Sequence, residues 1–264
     1  LLHPVEIAGQ IAALDAVSSG RAYLGLARGA WLEAVGIAER APVARMREAI
    51  GAIRYLLSGR EDGFDSDIFP LPAGQVRRYD VVRPEIPLLI GTWGQAMAAL
   101  AGEVADEVKI GGSTNPAMAP VMRGYLAVGE ARAGRAPGSV GIVMGAVTVV
   151  DEDGAAARAL ARREVARYLP VVAPLDPTVT IPDELLRRMA AFVAAGAEDE
   201  AAALVPDDVL DRFAFSGTPA QIVRQAEALF AAGATRIEFG TPHGFTDVGG
   251  VRLLGERVLP HLRG

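Results

Sequence analysis

The sequence contains no cysteine and only one lysine, Lys109, among its 264 residues. The absence of cysteine excludes disulfide bonds, thiolate metal sites and cysteine nucleophiles. The only imidazole groups belong to His3, His243 and His261. They lie far apart in the sequence, without the carboxylate pattern that is typical of a zinc or iron site. We therefore predict that the chain has no metal site.

Positive charge and long apolar runs are also scarce. The 26 Lys and Arg residues are outnumbered by 32 Asp and Glu residues, which gives a formal net charge of −6. Such a balance does not indicate a nucleic-acid-binding surface. No apolar run approaches the length that spans a membrane, and no signal peptide is visible. These features predict a cytoplasmic protein that binds neither nucleic acid nor membrane.

Short apolar segments alternate with amphipathic helices along the chain. The segments are typical of buried strands, and this alternation indicates an α/β fold with a parallel sheet. We predict strands that end near positions 27, 91, 111, 150 and 240, and most of them run into glycine-containing turns. In a (β/α)₈ TIM barrel these turns would gather on one rim, where the active sites of such barrels lie.

A doubly wound open sheet is the competing architecture. It would be expected to carry a Gly-x-Gly-x-x-Gly turn, and the sequence has none. We therefore predict that residues 1–264 form a single barrel domain. Residues from about 170 to 215 carry no strand signal, and we interpret them as a helical insertion, with helices around Asp183–Ala194 and Asp199–Val205.

One stretch, Gly91-Thr92-Trp93-Gly94-Gln95, stands between a short buried strand and the start of a helix. Its glycines allow the backbone to approach a ligand closely, and the first N–H groups of the helix point toward the turn. A helix N-terminus of this kind stabilises an anion. The alternative is that the glycines only make a tight strand-to-helix connection.

A series of short motifs extends over nearly the whole chain: His3-Pro-Val-Glu-Ile-Ala, Leu14-Asp15, Ser19-Gly20-Arg21, Leu24-Gly-Leu-Ala-Arg-Gly29, Ile86-Pro-Leu-Leu-Ile-Gly-Thr-Trp-Gly94, Ala101-Gly-Glu-Val-Ala-Asp106 and Ser216-Gly-Thr-Pro219. In this order and spacing they resemble the bacterial-luciferase-like superfamily. Within it they are most similar to the coenzyme F420-dependent branch typified by methylenetetrahydromethanopterin reductase. The resemblance implies a TIM barrel with insertions and a homodimer. It also places position 1 just after the third barrel strand, so we expect about 60 to 90 preceding residues, at roughly 30 per strand-helix unit.

The resemblance also implies roles for individual residues. The turn from Gly91 to Gln95 matches the segment whose backbone N–H groups hold the phosphate of the cofactor tail. Gly111-Gly112-Ser113 matches the neighbouring turn, where the serine hydroxyl can donate to a phosphate. Arg28-Gly29 matches the turn beside the cofactor ring and the substrate.

Two residues of the rim turns are catalytic candidates. Glu33 is a candidate acid, base or substrate contact, and His243 lies on the last rim turn, where it could contact substrate. Simple solvation of Glu33 and a structural role for His243 are the alternatives. The sugar-phosphate dehydrogenases of this superfamily carry Glu in place of Ala30 and Asn in place of Glu33, so glucose 6-phosphate is not the expected substrate.

The implied function is hydride transfer between the deazaflavin F420 and a small organic substrate that the sequence does not identify. Two other functions remain open. One is an FMN-dependent monooxygenase of the luciferase type, because the two cofactors have the same ring shape. The other is a non-catalytic relative that binds a flavin-like molecule and turns nothing over.

Overall fold

A computed structural model of the chain describes residues 2–29, 32, 36–38, 40–74 and 79–262. The strands are β1 (Leu24–Ala27), β2 (Leu88–Gly91), β3 (Glu107–Gly111), β4 (Gly141–Val150), β5 (Ala214–Gly217) and β6 (Arg236–His243). The helices are α1 (Pro4–Val17), α2 (Pro42–Ser58), α3 (Gln95–Val104), α4 (Met118–Arg132), α5 (Gly154–Val172), α6 (Asp183–Ala194), α7 (Glu198–Ala203), α8 (Asp207–Phe213), α9 (Pro219–Ala231), α10 (Asp247–Leu253) and α11 (Leu259–Leu262). A π-helical turn joins α10 to α11. None of the described helices is both long and apolar enough to cross a bilayer.

The strands form one sheet in which every pairing between them is parallel. Strands β1, β2, β3 and β4 are neighbours in chain order, and β6 pairs with β4. Both β3 and β6 pair with Val143 to Gly145, so they lie on opposite edges of β4. Within the described part of the chain the order does not reverse, as it would in a doubly wound sheet. The predicted α/β class with a parallel sheet is confirmed.

Strand β5 was not predicted. It pairs with Val147 to Val150, beyond the segment of β4 that β3 covers. Because β6 also pairs with Val147, β5 must lie on the edge that β3 uses. The expectation of no strand between 170 and 215 is therefore wrong at its end, where Ala214 and Phe215 belong to β5. The sequence also gives no separate signal for α8, whereas α6 has the predicted bounds.

One face of the sheet is covered by helices and forms the main core. Ile90, Val108, Ile110 and Met144 are completely buried there. Helices α3 and α4 cross on this face at a contact between backbones: a Cβ added to Gly129 would lie 1.8 Å from the carbonyl oxygen of Ala99. Side chains alternate along a strand, so the residues between these core positions face the other side of the sheet.

Candidate functional site

Two of the predicted ligand-binding turns meet at the carboxyl ends of β2 and β3. The backbone N–H of Thr92 donates to the carbonyl oxygen of Lys109 (2.9 Å). The indole Nε1–H of Trp93 donates to the carbonyl oxygen of Gly111, also at 2.9 Å. Because β2 and β3 are adjacent and parallel, the segments Gly91–Gln95 and Gly111–Ser113 form one continuous part of the rim.

The first turn of α3 opens onto this rim. Gly94 is its N-cap residue, with φ −81° and ψ 138°, and no side chain of the described residues caps it. The first N–H that bonds within the helix is that of Ala98, to the carbonyl oxygen of Gly94. Gly94, Gln95 and Ala96 are exposed. The N–H groups of this first turn are therefore free to bind an anion, which the helix dipole also favours.

The turn after β3 has a different construction. Gly112 adopts φ +82°, and a Cβ there would lie 3.4 Å from the ring of Tyr168, so the position suits glycine. Ser113 is 0% exposed, and its hydroxyl oxygen accepts a hydrogen bond from the N–H of Asn115 (3.2 Å). This hydroxyl lies beneath the surface of the turn. Its predicted contact with a phosphate stays a prediction.

Tyr168 supports this turn from below. Its phenol donates a hydrogen bond to the carbonyl oxygen of Phe213. Burial raises the pKa of the Tyr168 phenol far above its usual range, with a smaller contribution in the same direction from Glu164. The phenol therefore stays protonated and acts as a fixed donor that ties α5 to the end of α8.

The face of the sheet opposite the main core carries two ion pairs between β3 and β6. Arg236 pairs with Glu107, and Lys109 pairs with Glu238. Glycines in β4 leave room for both pairs: a Cβ at Gly145 would lie 2.6 Å from Glu238 Oε2, and one at Gly141 would lie 3.2 Å from Glu107 Cγ. The result is a polar surface that leads from the middle of the sheet to the rim.

A cavity of about 500 Å³ lies over this polar surface and extends to His243. The backbone of His243 is left-handed, with φ 72°. Its Nε2 lies 3.0 Å from the carbonyl oxygen of Phe239. A carbonyl oxygen only accepts, so Nε2 carries the proton in this hydrogen bond.

The other ring nitrogen of His243, Nδ1, is buried and has no hydrogen-bond partner among the described residues. An unpaired buried polar atom costs free energy, and His243 lines the cavity, so Nδ1 is a candidate for a partner outside the described residues. With Nε2 protonated, Nδ1 of the neutral ring is an acceptor. It can therefore accept a hydrogen bond or take up a proton.

Comparison with known proteins identifies relatives of this chain. The family model described as luciferase-like monooxygenase matches residues 1–236. The chain belongs to the luciferase-like monooxygenase family. It is 32% identical to a 5,10-methylenetetrahydromethanopterin reductase from Archaeoglobus fulgidus, over 99% of this chain and 80% of that protein. It is 25% identical to an F420-dependent glucose-6-phosphate dehydrogenase from Nakamurella multipartita, over 99% of this chain and 74% of that protein.

A solved structure is similar to this luciferase-like chain over the same extent. The coenzyme F420-dependent tetrahydromethanopterin reductase from Methanopyrus kandleri superposes with a TM-score of 0.86 at 25% identity, covering 99% of this chain and 80% of that structure. The resemblance drawn from the sequence motifs is therefore confirmed. So is the prediction of a TIM-barrel-like fold.

The remaining predicted site residues of the luciferase-like chain lie after β1. Ala27 is the partner of Gly91 in the pairing of β1 with β2, so Arg28 and Gly29 reach the same rim as the α3 turn. Both are exposed, and Gly29 adopts φ +97°. Glu33 lies outside the described residues, and its catalytic role stays a prediction.

Sequence reasoning missed the ion pairs on the face opposite the main core. It assigned no role to Lys109. A signal for its partner exists, because Glu107-Val-Lys109 and Arg236-Ile-Glu238 have opposite charges at the same spacing of two. When two strands lie in register on the two sides of β4, this spacing puts all four charged side chains on one face of the sheet.

Proposed function

We propose that this chain is a coenzyme F420-dependent oxidoreductase that transfers a hydride between the deazaflavin and a small organic substrate. The observation that carries the proposal is the exposed, uncapped N-terminus of α3, joined to the next rim turn by the Trp93–Gly111 hydrogen bond. Relatives that cover nearly the whole chain are F420-dependent reductases and dehydrogenases. Their substrates differ, and the substrate of this chain is not identified.

The residues present fit a cofactor with an anionic tail. In this proposal the first N–H groups of α3 and the hydroxyl of Thr92 hold the tail phosphate, because a helix N-terminus both donates to and attracts negative charge. The Thr92 hydroxyl already accepts from the N–H of Gly94 (3.0 Å) and keeps its own proton to donate. Gly111 and Gly112 let the tail approach the backbone. Arg28-Gly29 borders the ring and the substrate.

F420, when bound, supplies the redox chemistry, while the protein orients the reactants and excludes water. In this proposal His243 and Glu33 are the catalytic residues. Nδ1 of His243 would accept the proton that leaves a substrate when it is oxidised, and the protonated ring would return that proton to the product when the reaction runs as a reduction. Nδ1 is buried in this conformation, so the ring would have to turn toward the cavity to reach a substrate.

The protein is also predicted to be a cytoplasmic homodimer that binds neither nucleic acid nor membrane. These statements rest on composition and on the family resemblance. Gel filtration with light scattering measures the oligomeric state directly.

The second candidate is an FMN-dependent monooxygenase, which the family description favours. Anaerobic turnover distinguishes the candidates. The protein is mixed with reduced F420 and a panel of small carbonyl, imine and alkene compounds, with and without dioxygen, and reoxidation of the deazaflavin is followed. Reoxidation that depends on substrate and not on oxygen supports the proposal. Product formation that requires reduced FMN and oxygen contradicts it, and binding of a cofactor without turnover by either route favours the non-catalytic alternative.

A further inference from the structure

A buried polar network holds the rim turn after β3 on its buried side. The side-chain amide of Asn115 donates to Asp176 Oδ2 (2.9 Å) and to Thr178 Oγ1 (2.7 Å). Asn115 is 4% exposed and Asp176 is 2% exposed. The network therefore connects the rim to the segment that follows α5, more than sixty positions later in the sequence.

The carboxylate of Asp176 is held by hydrogen bonds alone. Its Oδ1 accepts from the backbone N–H of Thr178 (2.8 Å) and from the Thr178 hydroxyl (2.7 Å). No ion pair to Asp176 occurs in the described part of the chain. A buried charge without a counter-ion is stable only when its lone pairs are occupied by donors. Loss of the Asn115 donor would therefore disturb the whole segment.

Asn115 connects Asp176 to the turn. Its backbone N–H donates to Ser113 Oγ, and its side-chain oxygen accepts from the N–H of Ala117. The N–H groups of Gly112 and Ser113 both donate to the carbonyl oxygen of Gly145 (2.6 and 3.2 Å). The path of the backbone from Gly112 to Asn115 is thus determined on one side by β4 and on the other by Asp176.

A second clamp acts beside the first. The N–H of Thr114 donates to the carbonyl oxygen of Arg212 (2.8 Å), and its hydroxyl donates to that of Asp211 (2.9 Å). Both acceptors belong to α8. The helical segments after β4 therefore contact the rim turn through buried polar groups. Directional hydrogen bonds fix the position of the turn, whereas a purely apolar contact would allow it to shift.

We propose that Asp176 is a positioning residue for the cofactor site: through Asn115 it holds the Gly111–Ser113 turn in the conformation that receives the cofactor tail. This inference rests on the proposed function. Binding to a turn that is already ordered avoids the entropy cost of ordering it. The same turn accepts the hydrogen bond of Trp93, so its displacement also changes the neighbouring α3 turn.

The variant Asp176→Asn tests the proposal. It replaces one of the two carboxylate oxygens with an NH2 group, so in either orientation a donor opposes a donor in a buried site: the side-chain amide of Asn115 or the backbone N–H of Thr178. We expect the dissociation constant of F420 to rise about tenfold, because the binding free energy then has to supply about one buried hydrogen bond's worth of ordering of the turn. The milder variant Thr178→Val removes one hydroxyl only, and we expect about a threefold rise on the same grounds.

Glu130→Gln is the matched control. Glu130 is 1% exposed, and its carboxylate accepts from the N–H groups of Gly138 (2.9 Å) and Val140 (3.0 Å). These bonds hold the loop that enters β4, at the end of the sheet opposite the rim. The control loses thermal stability for the same physical reason as Asp176→Asn, but we expect its affinity for F420 to equal that of the unmodified protein.

Rescue separates positioning from general damage. The double variant Asp176→Asn with Asn115→Asp exchanges the amide and the carboxylate, which restores a donor facing an acceptor. We expect its F420 affinity to return to within about threefold of the unmodified protein. Equal affinities for Asp176→Asn and Glu130→Gln would overturn the positioning role alone. Failure of the unmodified protein to bind F420 would overturn the proposed function and, with it, this inference.

Discussion

The substitution Gly94→Asp provides the sharpest test of an anion site at α3, because it is expected to change stability and affinity in opposite directions. The backbone of Gly94 has φ −81° and ψ 138°, which every residue adopts easily. A Cβ there meets nothing closer than Thr92 Oγ1, at 3.9 Å. Aspartate caps a helix better than glycine by a few tenths of a kcal/mol and also interacts favourably with the helix dipole, so the free energy of unfolding should increase by about 0.5–1 kcal/mol.

The same carboxylate would compete with the cofactor phosphate. Two unit charges about 4 Å apart repel by about 1 kcal/mol in water and by about 4 kcal/mol at the effective dielectric of a protein surface. The dissociation constant of F420 should therefore rise between about fivefold and several hundredfold.

Gly94→Asn is the control, because asparagine caps a helix equally well without the charge. Urea unfolding and a fluorescence-quench titration with F420 measure the two effects. Equal F420 affinity for the two variants would refute the anion site, whatever their stabilities.

Three further changes probe the fold and the catalytic candidate. Gly129→Ala forces apart the backbones of α3 and α4 and should lower the unfolding free energy by about 2–3 kcal/mol. Gly124→Ala meets nothing within 4 Å and should raise the unfolding free energy by about 0.5–1 kcal/mol. Urea unfolding measures both variants, and equal stabilities would contradict the close crossing of the two helices. The hydrogen bond from Arg83 lowers the pKa of Asp15 below its ordinary value of 3.8, so the stability that this ion pair contributes is present above that pH and is lost as the pH falls through the lowered pKa. The urea midpoint of Asp15→Asn should therefore fall less steeply below about pH 4 than that of the unmodified protein. An unchanged slope would contradict the contribution of the Asp15–Arg83 pair. His243→Gln should lower kcat by about 10²–10⁴ with little change in F420 affinity, and an unchanged kcat would remove His243 from the mechanism.

Local sequence signals predicted the elements that are stabilised by residues near in sequence, such as helix caps, or that have a strong apolar pattern. Pro4 at the start of α1 and the Thr218–Gln221 capping box of α9 both mark helix starts that the structure has. The buried strand at β2 and its glycine turn were equally clear. Strand β5 was missed because its four residues have no alternation of their own, and they become a strand only by pairing with the end of β4.

The chemistry of the site was predictable only in part. The α3 turn has a local signature, because glycines followed by a helix start place N–H groups at a rim. The network of Asn115 and Asp176 has none, since the two residues are separated by α4, β4 and α5 and meet only in the folded chain. The unpaired Nδ1 of His243 likewise depends on the left-handed backbone at that residue, which the sequence does not encode in any short motif.

Parallel equilibrium titrations of the protein with F420 and with FMN test the deazaflavin assignment. We expect micromolar or tighter binding of F420 and clearly weaker binding of FMN, with the F420 affinity reduced by Gly94→Asp. Preference for FMN would contradict the deazaflavin assignment and move the function to flavin-dependent oxygenation. Binding of neither cofactor would contradict the assignment of the Gly91–Gln95 turn.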